Sequence, residues 1–298
     1  MYDGDEVYHA QLVYLLGHGY KPFVSFYQIY SPIYHVLLLP VFTAVGYSFR
    51  ALAWTRVLMV ILFLVRLAVA YIVVRKIFDV RVGILFIFFL LLNPFSVFSE
   101  MQIRPDNLMI LVYTMGILLL IFAHKKAVPW IFMVSGAIVS LAFLINAKIF
   151  PSVTLLLFVY GYWCWTRKNW REFRYLLYGY VLSFVIFASY FLVTNSFVEM
   201  VKQMIIEPHM FLKTTVYPTR VGFFYLPDNI YIYGVAGEPL TWMYVWILPL
   251  LAFGGLYHMF ATTLQNKAQD SLTVIRIFLG LSLPVQWLLL FSLNTAFI

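Results

Sequence analysis

The chain has 298 residues, 63% of them hydrophobic and 11% charged, with a mean hydropathy of +0.89 and a formal net charge of +8. A soluble domain carries about 45–50% apolar and about 25% charged residues, so a soluble globular protein is excluded. The apolar runs are long and continuous rather than alternating, which excludes a transmembrane β-barrel. The cations lie in short loops, which is a membrane-protein pattern and not a nucleic-acid one. One cysteine, Cys164, excludes an internal disulfide and a cysteine-based metal site.

Taken in order, the chain opens on Asp3, Asp5 and Glu6, which are three of only 12 acidic residues. The run continues as a helix through Leu12, Leu15 and Leu16, and Gly17-His18-Gly19 ends it. Read alone, the acids are a solvated helix start, because carboxylates favour the first turn. Ser31 to Tyr47 is apolar but interrupted by His35 and Pro40. Eight segments are then long enough to span or nearly so. They are Thr55–Arg75, Val82–Phe98, Asn107–Ala123, Val128–Ile145, Ile149–Trp165, Tyr175–Val193, Thr241–Phe260 and Leu272–Phe297. A polar and aromatic loop from Thr194 to Leu240 separates the last two from the rest.

Charge sets the orientation. If Ser31–Tyr47 lies at the interface without crossing, Arg75, Lys76, Arg81, Lys125, Lys126, Arg167, Lys168, Arg171, Arg174 and Lys267 share one side. The short loops of the other side hold only Arg104 and Lys148. Cations in short loops mark the cytoplasm, so the acidic start and the long loop are expected outside. An external start calls for tail translocation or a further helix ahead of Met1, and Ile298 closes the chain without an interfacial anchor. Both ends are therefore expected to be cut from a longer protein. Arg66 lies mid-span, where a charge costs about 2.5–3.5 kcal/mol or more, and no acid within the spans is there to pair with it.

The external loops gather one set of polar groups: Asp3, Asp5, Glu6 and His9, then Glu100, Gln102, Arg104 and Asp106, then Asn146 and Lys148, then Glu207, His209, Lys213 and Arg220. Carboxylates suit a general base or a metal, and Lys and Arg at headgroup level suit a phosphate. Each has a plainer reading. Lys148 and Arg104 can be snorkelling flank residues. Asp106 can cap a helix beginning at Asn107. His9 can be an interfacial or core histidine. Glu207 and His209 flank Pro208, and a metal site there is the weaker reading.

Four motifs stand in register. Asp5-Glu6-Val7-Tyr8-His9-Ala10 resembles the first-loop Asp-Glu motif of the GT-C glycosyltransferases, in the superfamily of protein mannosyltransferases and aminoarabinose transferases. Ser31-Pro32-Ile33-Tyr34 resembles its Pro-aromatic juxtamembrane helix, Gln102-Ile103-Arg104-Pro105-Asp106 its second-loop Arg-Pro-Asp, and Ala142-Phe143-Leu144 running to Lys148 its helix break before a lysine. Some relatives carry Arg where this chain has Tyr8, and a cation or His where it has Ser31.

The resemblance implies an all-α, polytopic membrane bundle with juxtamembrane helices on the external face. It would form one domain over 1–298: an external loop with juxtamembrane helices at 1–54, a transmembrane core at 55–193, an external loop at 194–240 and further helices at 241–298. It implies an inverting glycosyltransferase in the plasma membrane that uses a polyprenyl-phosphate sugar donor and a glycan, lipid or protein acceptor. Asp5 would be the base, with Glu6 and Asp106 as further site acids. Lys148 and Arg104 would hold the donor phosphate, and His9, Gln102, Glu207 and His209 would be nearby candidates. No cofactor is fixed by the pattern, and a divalent metal stays open. The rival readings are a lipid-linked sugar transporter, which would place charges along a path through the helices, and an inactive subunit of the same fold.

The orientation is testable by labelling. With Cys164 replaced by Ala, Ser25→Cys and Ser48→Cys should both react with an impermeant thiol reagent added outside. Labelling of Ser48→Cys only from the cytoplasm would overturn the assignment.

Overall fold

The computed structural model describes residues 4–92, 97, 100–207, 254 and 272–292. Among these the regular elements are helical, apart from an isolated bridge between Pro22 and Phe26. Four helices are long and apolar enough to cross a membrane, and four shorter apolar helices accompany them. The chain is a multi-pass helical membrane protein, as its composition requires. It divides into two compact units, one of residues 1–149 and 171–214 and one of 150–170 and 215–298.

In the first unit, α1 spans Gly4–Gly17, and Gly19 follows it at a φ of +82°. Helix α2 spans Pro32–Val45, where the Ser31 side chain accepts from the Ile33 amide and Pro32 occupies the first turn. Its 14 residues reach about 21 Å at about 1.5 Å each, short of a hydrocarbon core of about 30 Å. Pro40 sits inside the helix, and the Thr43 hydroxyl donates to the Leu39 carbonyl at 3.0 Å. Helices α3 (Phe49–Ile77) and α4 (Val80–Leu92) follow. Then come α5 (Pro105–Lys126) and α6 (Pro129–Ile145), joined through Ala127 in the left-handed region at φ 53°. A short 3₁₀ turn covers Ala147–Ile149. Helix α8 (Trp170–Val193) leads into a short α9 (Phe197–Val201) and a π-turn at Lys202–Ile206.

The second unit is described in α7 (Phe150–Thr166) and α10 (Thr273–Ser292), which pack together. The expected span at Thr241–Phe260 and the long loop beyond Glu207, His209 included, lie outside the described residues.

Lipid tails are as apolar as Leu, so helices in a membrane associate through close packing and polar contacts rather than hydrophobic burial. Small residues supply that closeness here. The Ser135 hydroxyl donates to the Gly116 carbonyl at 2.9 Å across α5 and α6. A Cβ on Gly136 would lie 1.9 Å from the Leu176 carbonyl oxygen, and one on Gly179 would lie 1.8 Å from that of Met133. The backbones of α6 and α8 therefore touch at two glycines, one on each helix.

Gly179→Leu should force α6 and α8 apart and lower stability by about 1–3 kcal/mol or more, the scale of overpacking. Gly4→Ala, where a Cβ meets nothing within 4 Å, is the matched control. Thermal unfolding in nanodiscs reads both, and an unchanged midpoint for Gly179→Leu would contradict the packing.

Candidate active site

Helix α1 begins the site. Residues 5 and 6 are neighbours, so about 100° of helix rotation separates their side chains, and the two carboxylates part company. The Asp5 side chain is 64% exposed, and one oxygen lies 3.2 Å from the Arg104 guanidinium. Glu6 is fully buried. Its carboxylate takes a bidentate pair from Arg56 of α3, at 2.9 and 2.5 Å, and accepts from the Ile103 amide at 3.2 Å. One buried charge thus ties α1, α3 and the segment before α5. A charge held this way is compensated on both oxygens, which is the condition for burying it at all.

The segment 100–104 is anchored a second time. Glu100, itself buried, pairs with Arg66. This supplies the partner that the spans themselves do not offer Arg66. The acid comes from outside the spans, on a segment that runs beside α3. Arg56 and Arg66 are ten residues apart, about 15 Å along the helix axis, and the segment bridges that length. Burial pushes the Glu100 carboxyl up, and the Arg66 guanidinium pulls it down. Asn107 closes the segment, donating from Nδ2 to the carbonyls of Glu100 and Gln102 at 3.0 and 2.9 Å. Gln102 is buried.

Asp106 does not cap a helix starting at Asn107. Helix α5 starts at Pro105, with Arg104 as its N-cap residue and no side-chain cap. The Asp106 carboxylate instead reaches across to the end of α6. It accepts from Asn146 Nδ2 at 3.1 Å and lies 3.3 Å from Lys148 Nζ. Asn146 is extended after the end of α6, and its Oδ1 accepts from the Lys148 amide at 3.1 Å. The helix break after Ile145 therefore aims the lysine at the acid. The result is two acid–cation pairs, Asp5–Arg104 and Asp106–Lys148, linked by the two residues Arg104-Pro105.

His9 lies one turn below Asp5 and is buried. Its Nδ1 is 3.0 Å from Nε2 of His35, whose Nδ1 is 3.2 Å from Gln28 Nε2. The Gln28 backbone N–H donates to Gln203 Oε1 at 3.0 Å, and Gln203 Nε2 donates to the Phe23 carbonyl at 2.9 Å. Burial first, then the cation of Arg104, lowers His9 to about 4. Burial, then His9, lowers His35 to about 3. Both rings stay neutral near pH 7. Tyr30 and Tyr34 pack against His9, with ring centroids at 5.3 and 5.5 Å. Glu207 lies 3.9 Å from Lys202 at the end of the π-turn, away from these pairs. Among the described residues no three His, Cys, Asp or Glu side chains converge to hold a metal ion, and Asp5, Glu6 and Asp106 each face a cation instead.

Arg56, Tyr30, His35 and Gln28 have no part in the sequence motifs. Arg56 carried a signal: a cation at the start of an apolar span, facing a chain whose acids are few.

A family of dolichyl-phosphate-mannose-protein mannosyltransferases matches residues 31–192, more than half of the chain. The chain belongs to this family, within the GT-C superfamily of membrane glycosyltransferases. The match takes in α2, Arg56, the Arg104-Pro105-Asp106 run and Lys148, and it begins after α1. Helix α1 is joined to the matched region by the Glu6–Arg56 and Asp5–Arg104 pairs. No curated protein and no solved structure matches the chain.

Proposed function

We propose that this glycosyltransferase moves a sugar from a polyprenyl phosphate, mannose being the family's named sugar, to an acceptor hydroxyl on the external face of the plasma membrane. The observation that carries the reading is the pair of partly exposed acid–cation contacts, Asp5–Arg104 and Asp106–Lys148, at the adjoining ends of α1, α5 and α6. A lipid-borne donor keeps its tail in the bilayer, so its phosphate must meet the protein near an interface. Two cations at helix ends suit that phosphate, and two carboxylates beside them suit the acceptor.

Asp5 is the general base. It is the exposed member of its carboxylate pair, so an acceptor can reach it. The acceptor oxygen attacks the anomeric carbon, its proton passes to Asp5, and the bond from that carbon to the phosphate oxygen breaks. The electron pair leaves with the polyprenyl phosphate, and the configuration at the carbon inverts. Charge grows on the departing phosphate, and Lys148 and Arg104, already oriented, stabilise it. Asp106 holds Lys148 and orients the acceptor. Glu6 is a positioning residue that fixes the first turn of α1 through Arg56. Glycan, lipid or protein acceptors would all fit a site open on this side.

Asn preserves the shape of Asp and removes its basicity. Asp5→Asn should insert and fold as the wild type does, bind donor, and lose transfer roughly 10²-fold or more, the scale of a lost base. Asp3→Asn should be much milder. The assay is transfer from polyprenyl-phosphate mannose by the protein in nanodiscs. Near-normal turnover by Asp5→Asn beside an active wild type would remove Asp5 as the base.

A further inference from the structure

We propose that Tyr8 and Tyr30 form the wall against which the donor's sugar ring lies, a reading that rests on the transfer reaction proposed above. Tyr8 and His9 stand three and four residues after Asp5, so they continue the face of α1 that Asp5 begins. Tyr30, in the bend before α2, brings its ring against both, with centroids 6.5 Å from Tyr8 and 5.3 Å from His9. Tyr8 and Tyr30 are half-buried, which leaves part of each available to a ligand, while His9 behind them is closed off. Burial, then the carboxylates of Asp106 and Asp5, push the Tyr30 hydroxyl up, and Arg104 draws it down. Tyr30 therefore shares the field of both acids and the cation that receive the substrates. Burial, then Tyr30, push Tyr8 up to about 12, against a hydrogen bond with the Ile29 backbone. Both phenols keep their protons near pH 7.

A pyranose ring presents hydroxyls at its edge and C–H groups on its faces. Those C–H groups are weakly positive, and the face of an aromatic ring is weakly negative, so the two attract while shedding water. The sugar of the donor is bonded through one oxygen to the phosphate. It cannot leave the neighbourhood of Arg104 and Lys148, whereas an acceptor needs to bring only one hydroxyl there. The aromatic surface beside the acid–cation pairs is therefore the donor's. The chain His9–His35–Gln28–Gln203 stands behind this wall. It fixes His9 by hydrogen bonds and leaves it uncharged, which holds the rings in place without setting a charge against the sugar face.

The test compares two lipids on the whole protein in nanodiscs: polyprenyl-phosphate mannose and the same polyprenyl phosphate without sugar. The wild type should bind the mannose lipid more tightly. Tyr30→Ala should weaken that lipid roughly 2- to 10-fold, the scale of one aromatic contact, and leave the sugar-free lipid unchanged. Tyr30→Phe should keep most of the preference. Unchanged binding of the sugar-free lipid also reports that the variant is folded. A preference that survives Tyr30→Ala, an equal loss of both lipids, or a wild type that binds them alike would overturn the wall. So would a raised acceptor KM with donor affinity intact, which would assign the rings to the acceptor. Turnover of Asp5→Asn reads the reaction separately, so loss of the wall and loss of the catalytic reading are distinct results.

Discussion

The site depends on one buried carboxylate. Glu6 has no access to water, and an uncompensated charge there would cost several kcal/mol. Arg56 and the Ile103 amide compensate it, and in doing so they bring three pieces of chain to one point: the first turn of α1, the N-terminal part of α3 and the segment ahead of α5. Asp5 is exposed because Glu6 is not. With Glu6 turned inward, helical geometry turns its neighbour out, towards Arg104. The base of the proposed reaction is thus oriented by the acid beside it.

The membrane imposes the second constraint. Apolar solvent gives helices little reason to associate, so their backbones must approach closely or share polar groups. Gly136 and Gly179 provide the approach, and Ser135 with Gly116 provides a shared hydrogen bond. The Arg66–Glu100 pair works similarly at depth: two costly charges meet and fix a segment beside α3. A glycosyl donor with a lipid tail suits such a scaffold, because the chemistry needs fixed charges more than moving parts.

Much of this was legible in the residues. Hydropathy placed the described spans, the short α2 and the break after Ile145. Four motifs pointed to the family, and three of them, Ser31 to Tyr34, Gln102 to Asp106 and Ala142 to Lys148, lie in the region the family matches, while the Asp5-Glu6 motif lies before it. Period and composition could not give the pairings between distant segments. Gln28 and Gln203 are 175 residues apart, and nothing local marks either as the other's partner. Arg66 was rightly singled out as costly, but its partner was sought only among the spans, and a loop supplied it. The separation of Asp5 and Glu6 was readable in principle. Adjacent residues on a helix point in different directions, so two neighbouring acids cannot both face one substrate. Tyr30 was hidden for a different reason, since one tyrosine of 22 carries no signal until its neighbours are known.

The central claim is that Glu6 and Arg56 act as one unit that sets the first turn of α1. A double-mutant cycle measures it most directly. Glu6→Gln, Arg56→Gln and the double variant would be compared for unfolding free energy and for transfer in nanodiscs. Arg56→Gln should leave the fully buried Glu6 carboxylate without its cation and cost about 3–5 kcal/mol, while Glu6→Gln, which strands the partly exposed Arg56, should cost less. The double variant should be no worse than the poorer single one, because the second change removes the group that the first left stranded. Additive losses in the double variant would show that the two residues act independently, and would contradict the account.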